Sequence, residues 1–144
     1  MKENELRIGN YVNHIDRIVR ITELMNYRAF VDGDGVNIKY DELFPIEITE
    51  KLLKELGFTQ IAYPIGYVFK YEKEIDLDGN KGLVIYGKKT NGFNYIEISM
   101  INIDNGKETH FKTFDKVFYF HQLQNFYYIT TQKELEFELS TTPT

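Results

Sequence analysis

Residues 82–100 read GLVIYGKKTNGFNYIEISM, two apolar-rich runs joined by Asn91-Gly92. Asn-Gly is a strong short-range hairpin signal, because both residues tolerate the positive φ of a type I′ turn. Pairing the runs across a two-residue loop sets Leu83, Ile85 and Gly87 opposite Met100, Ile98 and Ile96. That face is apolar throughout. The other face sets Val84, Tyr86 and Lys88 opposite Ser99, Glu97 and Tyr95 and is mixed. A one-residue slip would exchange the faces, so the pattern selects this register. Further turns at Asp78-Gly79-Asn80 and Asp104-Asn105-Gly106 extend the hairpin into a meander, with strands expected near 65–74, 82–89, 93–103 and 107–113. One face of it is expected to be covered by helices.

Upstream, residues 5–44 read as four short strands. LRIGNYVN places Leu6 and Ile8, then Tyr11 and Val12, around a Gly-Asn turn. RIVRITEL alternates Ile18, Arg20 and Thr22 against Arg17, Val19 and Ile21, and Asp32-Gly33-Asp34-Gly35 supplies a hairpin turn. This pattern predicts an SH3-like small β-barrel or a curled antiparallel sheet, ended by Pro45. In ITEKLLKELGF, Thr49 is placed to cap a helix, Leu52, Leu53 and Leu56 share a face, and Gly57 suits the C′ position. Residues 116–130 predict a second helix, with Phe120, Leu123 and Tyr127 on one face, flanked by Tyr119 and Phe126. Thr131 to Glu134 matches a capping box, and Leu135, Phe137 and Leu139 alternate as an edge strand does.

The expected fold is therefore α+β. An SH3-like β-module over 1–47 precedes an antiparallel meander domain with two short helices over 48–139, the C-terminal helix included. Residues 140–144 are expected to form a disordered tail.

Composition excludes several classes of chemistry. The 144 residues carry no cysteine, which removes disulfides, thiolate metal sites and thiol nucleophiles and suits a reducing compartment. The opening residues hold no apolar signal core, and no run reaches the 18 residues of a membrane span, so a cytoplasmic protein without membrane contact is expected. Net charge is −5, and no basic stripe like that of a duplex-binding protein is present. His14, His110 and His121 share no metal-ligand spacing. From Asp32 an EF-hand loop fails at Val36 and Leu43; from Asp76 it fails at Lys81 and Gly87. Neither a metal nor a cofactor is expected. His121 lacks a carboxylate at i±3 or i±4 to orient it as a base, so no catalytic residue is assigned.

The aromatics are the outlier. Eight of the 22 fall between Phe111 and Tyr128, more than one helix face can bury. Phe118, His121, Gln122, Asn125 and Ile129 gather on or beside the far face. They form a candidate interaction surface unless the N-terminal module covers them. Aromatics with amides suit protein interfaces, and aromatics also stack on single-stranded bases.

Three blocks resemble a family of small uncharacterised proteins common in Bacteroidetes genomes and their phages. They are ELRIGNYV (5–12), PIEITEKLLKELGF (45–58) and HQLQNFYYITTQKEL (121–135), about 40 of the 144 residues in the family's order. Gln132 stands where the family often has glycine, and Ile129-Thr130 where Ala-Leu is usual. The resemblance implies a phage or mobile-element setting inside a bacterial cell and carries over no activity. Together these readings point to a non-enzymatic protein that binds a host or phage macromolecule, a protein partner first. The alternative is a module that binds or sequesters a nucleotide or other small ligand. An enzyme of unknown class ranks third.

Overall fold

The computed structural model of the chain describes residues 1–32, 37–61, 67–75, 81–90, 93–102, 113–115 and 119–137. Its contacts divide the chain into two compact units: Met1–Ile48 with Tyr119–Thr144, and Thr49–Phe118. Both are built from antiparallel sheet with a helix, so the class is α+β.

In the first unit, β1 (Tyr11–His14), β2 (Arg17–Leu24), β3 (Arg28–Val31) and β4 (Asn37–Lys39) pair in sequence order as a curled four-stranded sheet. The curl brings the chain after β4 back to β1. Asn13 and Phe44 exchange backbone hydrogen bonds of 2.8 and 2.9 Å. The expected alternation in β2 holds: Val19 and Ile21 point into the core, while Arg20 and Thr22 face out. Leu6, Val12, Val19, Ile21, Ala29, Val31, Ile38, Tyr40 and Leu43 form one buried cluster. Tyr40 pins the β2–β3 turn from within, because its hydroxyl donates to the Met25 carbonyl and accepts from the Met25 amide.

In the second unit, α1 (Glu50–Glu55) starts at Thr49, whose hydroxyl accepts from Leu52 N at 3.1 Å. Gly57 follows it in the C′ position with φ +87°. Leu52, Leu53, Leu56 and Phe58 are buried, and Lys73 Nζ donates to the carbonyl of Leu56 at 3.0 Å. β5 (Thr59–Gln60), β6 (Tyr67–Glu74), β7 (Lys81–Thr90), β8 (Phe93–Asn102) and β9 (Thr113–Asp115) form a consecutive meander. The β7–β8 register is the one the sequence selects: Leu83, Ile85 and Gly87 face Met100, Ile98 and Ile96. Val84, on the face expected to be mixed, is also buried. Gly87 has a packing reason to lack a side chain. Phe69 lies opposite it on β6, and a Cβ at Gly87 would stand 2.5 Å from that ring.

α2 (Phe120–Thr131) buries Phe120, Leu123, Phe126 and Tyr127, the face expected from its periodicity. Two expectations need correction. First, this helix belongs with the N-terminal sheet and not with the meander. Phe120 N donates to Ile46 O at 2.8 Å, and Tyr119 bridges to Glu47. The boundary expected after residue 47 lies one residue from the observed one, but the 48–139 domain does not hold together as a single unit. Second, Thr131 does not begin a new element. It is the last helical residue, and its hydroxyl donates back to Tyr127 O at 2.7 Å. Gln132 closes the helix in the left-handed region at φ 60°, and residues 134–137 are not strand. The turns expected at 33–35, 78–80, 91–92 and 104–106, nearly all of the strand expected at 107–113, and the tail 140–144 lie outside the described residues. Among the described residues no helix is long and apolar enough to cross a membrane.

Candidate functional site

The LRIGN segment passes across the polar side of α2, and there the helix amides find their partners. Gln124 is 1% exposed. Its Oε1 accepts from Tyr11 N at 2.8 Å, and its Nε2 donates to Gly9 O at 3.1 Å. Both are main-chain groups at the entry to β1, where the chain turns before pairing with β2. Gly9 makes that turn at φ +97°, a conformation that costs glycine little. Asn125 Oδ1 accepts from Asn10 Nδ2 at 2.7 Å and from Arg7 Nε at 3.1 Å. The Arg7 guanidinium also grips both oxygens of Glu134, with Nη2 to Oε2 at 2.9 Å, and lies 4.4 Å above the Tyr128 ring. These donors hold the Glu134 carboxyl below the usual carboxylate range.

This arrangement corrects the expected interaction surface at two of its five positions. His121 is 3% exposed, and Asn125 is half-buried and bonded to the N-terminal segment. At Asn125 the physical reason is that the side-chain donors of Asn10 and Arg7 need an acceptor where they meet the helix, and the amide oxygen accepts from both. Gln122 is exposed, its Oε1 accepting from Tyr119 N at 3.1 Å at the helix start. Ile129 is 64% exposed. Phe118 lies outside the described residues. The stretch HQLQN thus works largely as a clamp between helix and sheet.

Two cavities flank the clamp. One, about 390 Å³, has Tyr11, Arg20, Gln124, Glu134, Glu136 and Phe137 among its walls. Tyr11 stacks on Phe120 with ring centres 5.9 Å apart and meets Phe137 edge-on at 5.0 Å. Its hydroxyl donates to Phe137 O at 3.3 Å, and burial raises its pKa. The other, about 230 Å³, is bordered by Glu5, Pro45, Tyr119, His121 and Gln122. His121 stacks on Tyr119, and its buried Nδ1 has no hydrogen-bond partner among the described residues. Desolvation lowers its pKa, which keeps the ring neutral near pH 7. In the second unit a cavity of about 490 Å³ lies beside Gly57, Thr59 and Glu72, with Lys73 committed to the end of α1.

Among the described residues no three His, Asp or Glu side chains stand close enough to hold a metal ion. Sequence reasoning passed over Arg7, Asn10, Tyr11, Arg20, Gln124 and Glu134. The available signal was the pairing of LRIGN with HQLQN, two polar-rich blocks at opposite ends of the chain that meet in one unit. No protein-family model, curated protein or solved structure matches the chain.

Proposed function

We propose that the chain is a non-enzymatic binding protein whose N-terminal β-module, read as SH3-like, engages a protein partner at the seam of its curled sheet. The observation that carries this reading is the exposure of Ile15 (76%) and Phe44 (58%) where β1 meets the returning chain. Phe44 pairs directly with Asn13, and Ile15 follows two residues on, so the two apolar side chains flank one seam. Neither contributes to the buried cluster of the sheet. Aromatic and aliphatic side chains set among polar ones are the usual centre of a protein interface. Exposed Asp16, Asp41 and Glu42 lie close to the pair along the chain, with exposed Arg17 the one basic residue beside Ile15, so the partner proposed is one whose contact surface carries basic residues. The family resemblance sets this activity in a bacterial or phage-infected cytoplasm, with a host or phage protein as target.

Affinity capture from host and infected lysates, with mass spectrometry of both proteins and small molecules, tests the reading. The wild type is expected to retain a protein that the Ile15→Ser/Phe44→Ser variant, equally folded by circular dichroism, does not. Retention is expected to weaken as salt rises, because the rim charges are screened. An identical set of proteins on both baits refutes the seam. A second reading, a module that holds a small ligand, is favoured by the cavity beside Tyr11 and Arg20.

A further inference from the structure

The cavity of about 390 Å³ between β1, β2 and residues 134–137 has an unusual distribution of charge. Tyr11 and Arg20 are direct cross-strand partners, so their side chains rise from the same face of the sheet. The Arg20 guanidinium is exposed and makes no hydrogen bond or ion pair among the described residues. Glu134 feels the Arg20 charge, but its two oxygens take their hydrogen bonds from Arg7 and none from Arg20. Glu136, two residues further on, is exposed and forms no ion pair among the described residues. The cavity therefore holds a guanidinium with no hydrogen bond and a carboxylate with no ion pair among the described residues. The rings of Tyr11 and Phe137, which meet edge-on, line the same cavity.

We infer that this cavity binds a small zwitterion, a free amino acid or a short peptide, with its carboxylate on Arg20 and its ammonium on Glu136. A guanidinium takes a carboxylate through two parallel hydrogen bonds, which fixes the ligand's orientation as well as its charge. The carbon skeleton then lies against Tyr11 and Phe137. The volume is at the small end of ligand sites, enough for one or two residues. A nucleotide fits poorly, since its several phosphate charges would face Glu134 and Glu136. The site shares no residue with the Ile15–Phe44 seam, so the two proposals stand or fall separately.

The test is an NMR titration of the full chain with phenylalanine, leucine and dileucine, and with N-acetylphenylalanine and phenylalanine amide as blocked analogues. Saturable shifts are expected at the Gly9, Tyr11 and Arg20 amides for the free zwitterions. Blocking either end is expected to weaken binding at least tenfold. Arg20→Gln should weaken the zwitterions at least tenfold, and Glu136→Gln should do so while leaving the acetylated analogue unchanged. Both positions are exposed, so neither change threatens the fold. Tighter binding of dileucine than of leucine identifies a peptide end as the ligand, and the reverse identifies a free amino acid. The inference is overturned by the absence of saturable binding at about 10 mM, by equal binding of blocked and free forms, or by adenosine monophosphate binding more tightly than either zwitterion.

Discussion

Replacing Gln124 by methionine keeps the length of the side chain and removes both polar groups of its amide. In the folded protein that amide satisfies Tyr11 N–H and Gly9 C=O, and the residue is almost fully buried. Leaving two such main-chain groups without partners costs about 1–3 kcal/mol each. Burying the more apolar methionine returns part of this, so the net loss is expected at about 2–4 kcal/mol. With a urea m-value of about 2 kcal/mol/M, the midpoint should fall by roughly 1–2 M. Amide hydrogen exchange gives a second, local readout: Tyr11 N–H should exchange much faster in the variant, while amides of the β7–β8 hairpin keep their protection. Ile129→Ala, on the exposed flank of the same helix, should stay within about 0.5 kcal/mol of wild type. If Gln124→Met stays equally close and Tyr11 remains protected, the helix does not clamp the strand entry and the reasoning fails.

Three further outcomes follow from the geometry. Gln132→Gly should raise stability by about 0.5–1 kcal/mol in thermal melts, because Gln132 closes α2 with φ 60°, where glycine is unstrained; a lower melting temperature contradicts this. Gly87→Ala should cost about 1–3 kcal/mol by driving a methyl group into the Phe69 ring, and an unchanged melt would disprove that contact. The lowered pKa of His121 means that the folded state favours the neutral ring, so its contribution is intact above the unfolded value near 6.5 and is lost as pH falls below it. Glu5 opposes this shift and the Met1 ammonium reinforces it. Wild type should therefore lose more stability between pH 7 and 5 than His121→Leu does, and parallel curves would exclude the effect.

Local patterns proved legible where one period decided the outcome. The β7–β8 register followed from two-residue alternation, α1 from Thr49 and its leucines, and the buried face of α2 from 3.6-residue spacing. What α2 packs against was not legible, because Phe120 and Leu123 fit the apolar face of either sheet equally well. The amides misled for a related reason. Asn125 on a helix's polar side looks solvated in sequence, and only the fold brings Asn10 and Arg7 to it across more than a hundred residues. The same distance hid the Arg7–Glu134 pair. Gln132 occupies a left-handed backbone position that suits glycine, which its residue type does not signal.

The first unit is discontinuous in the chain, with residues 49–118 leaving and re-entering between Ile46–Glu47 and Tyr119–Phe120, which are themselves bonded. This has a kinetic consequence during synthesis. The curled sheet emerges first, yet the helix that satisfies Gly9 and Tyr11 is translated last. At about 5–20 residues per second the sheet waits several seconds with its strand entry unclamped, while the intervening unit is already free to fold. Because the two junctions lie side by side, early folding of that unit would bring the late helix close to its docking site. A released chain truncated after Tyr119 should then show a protected meander and a protease-sensitive N-terminal sheet.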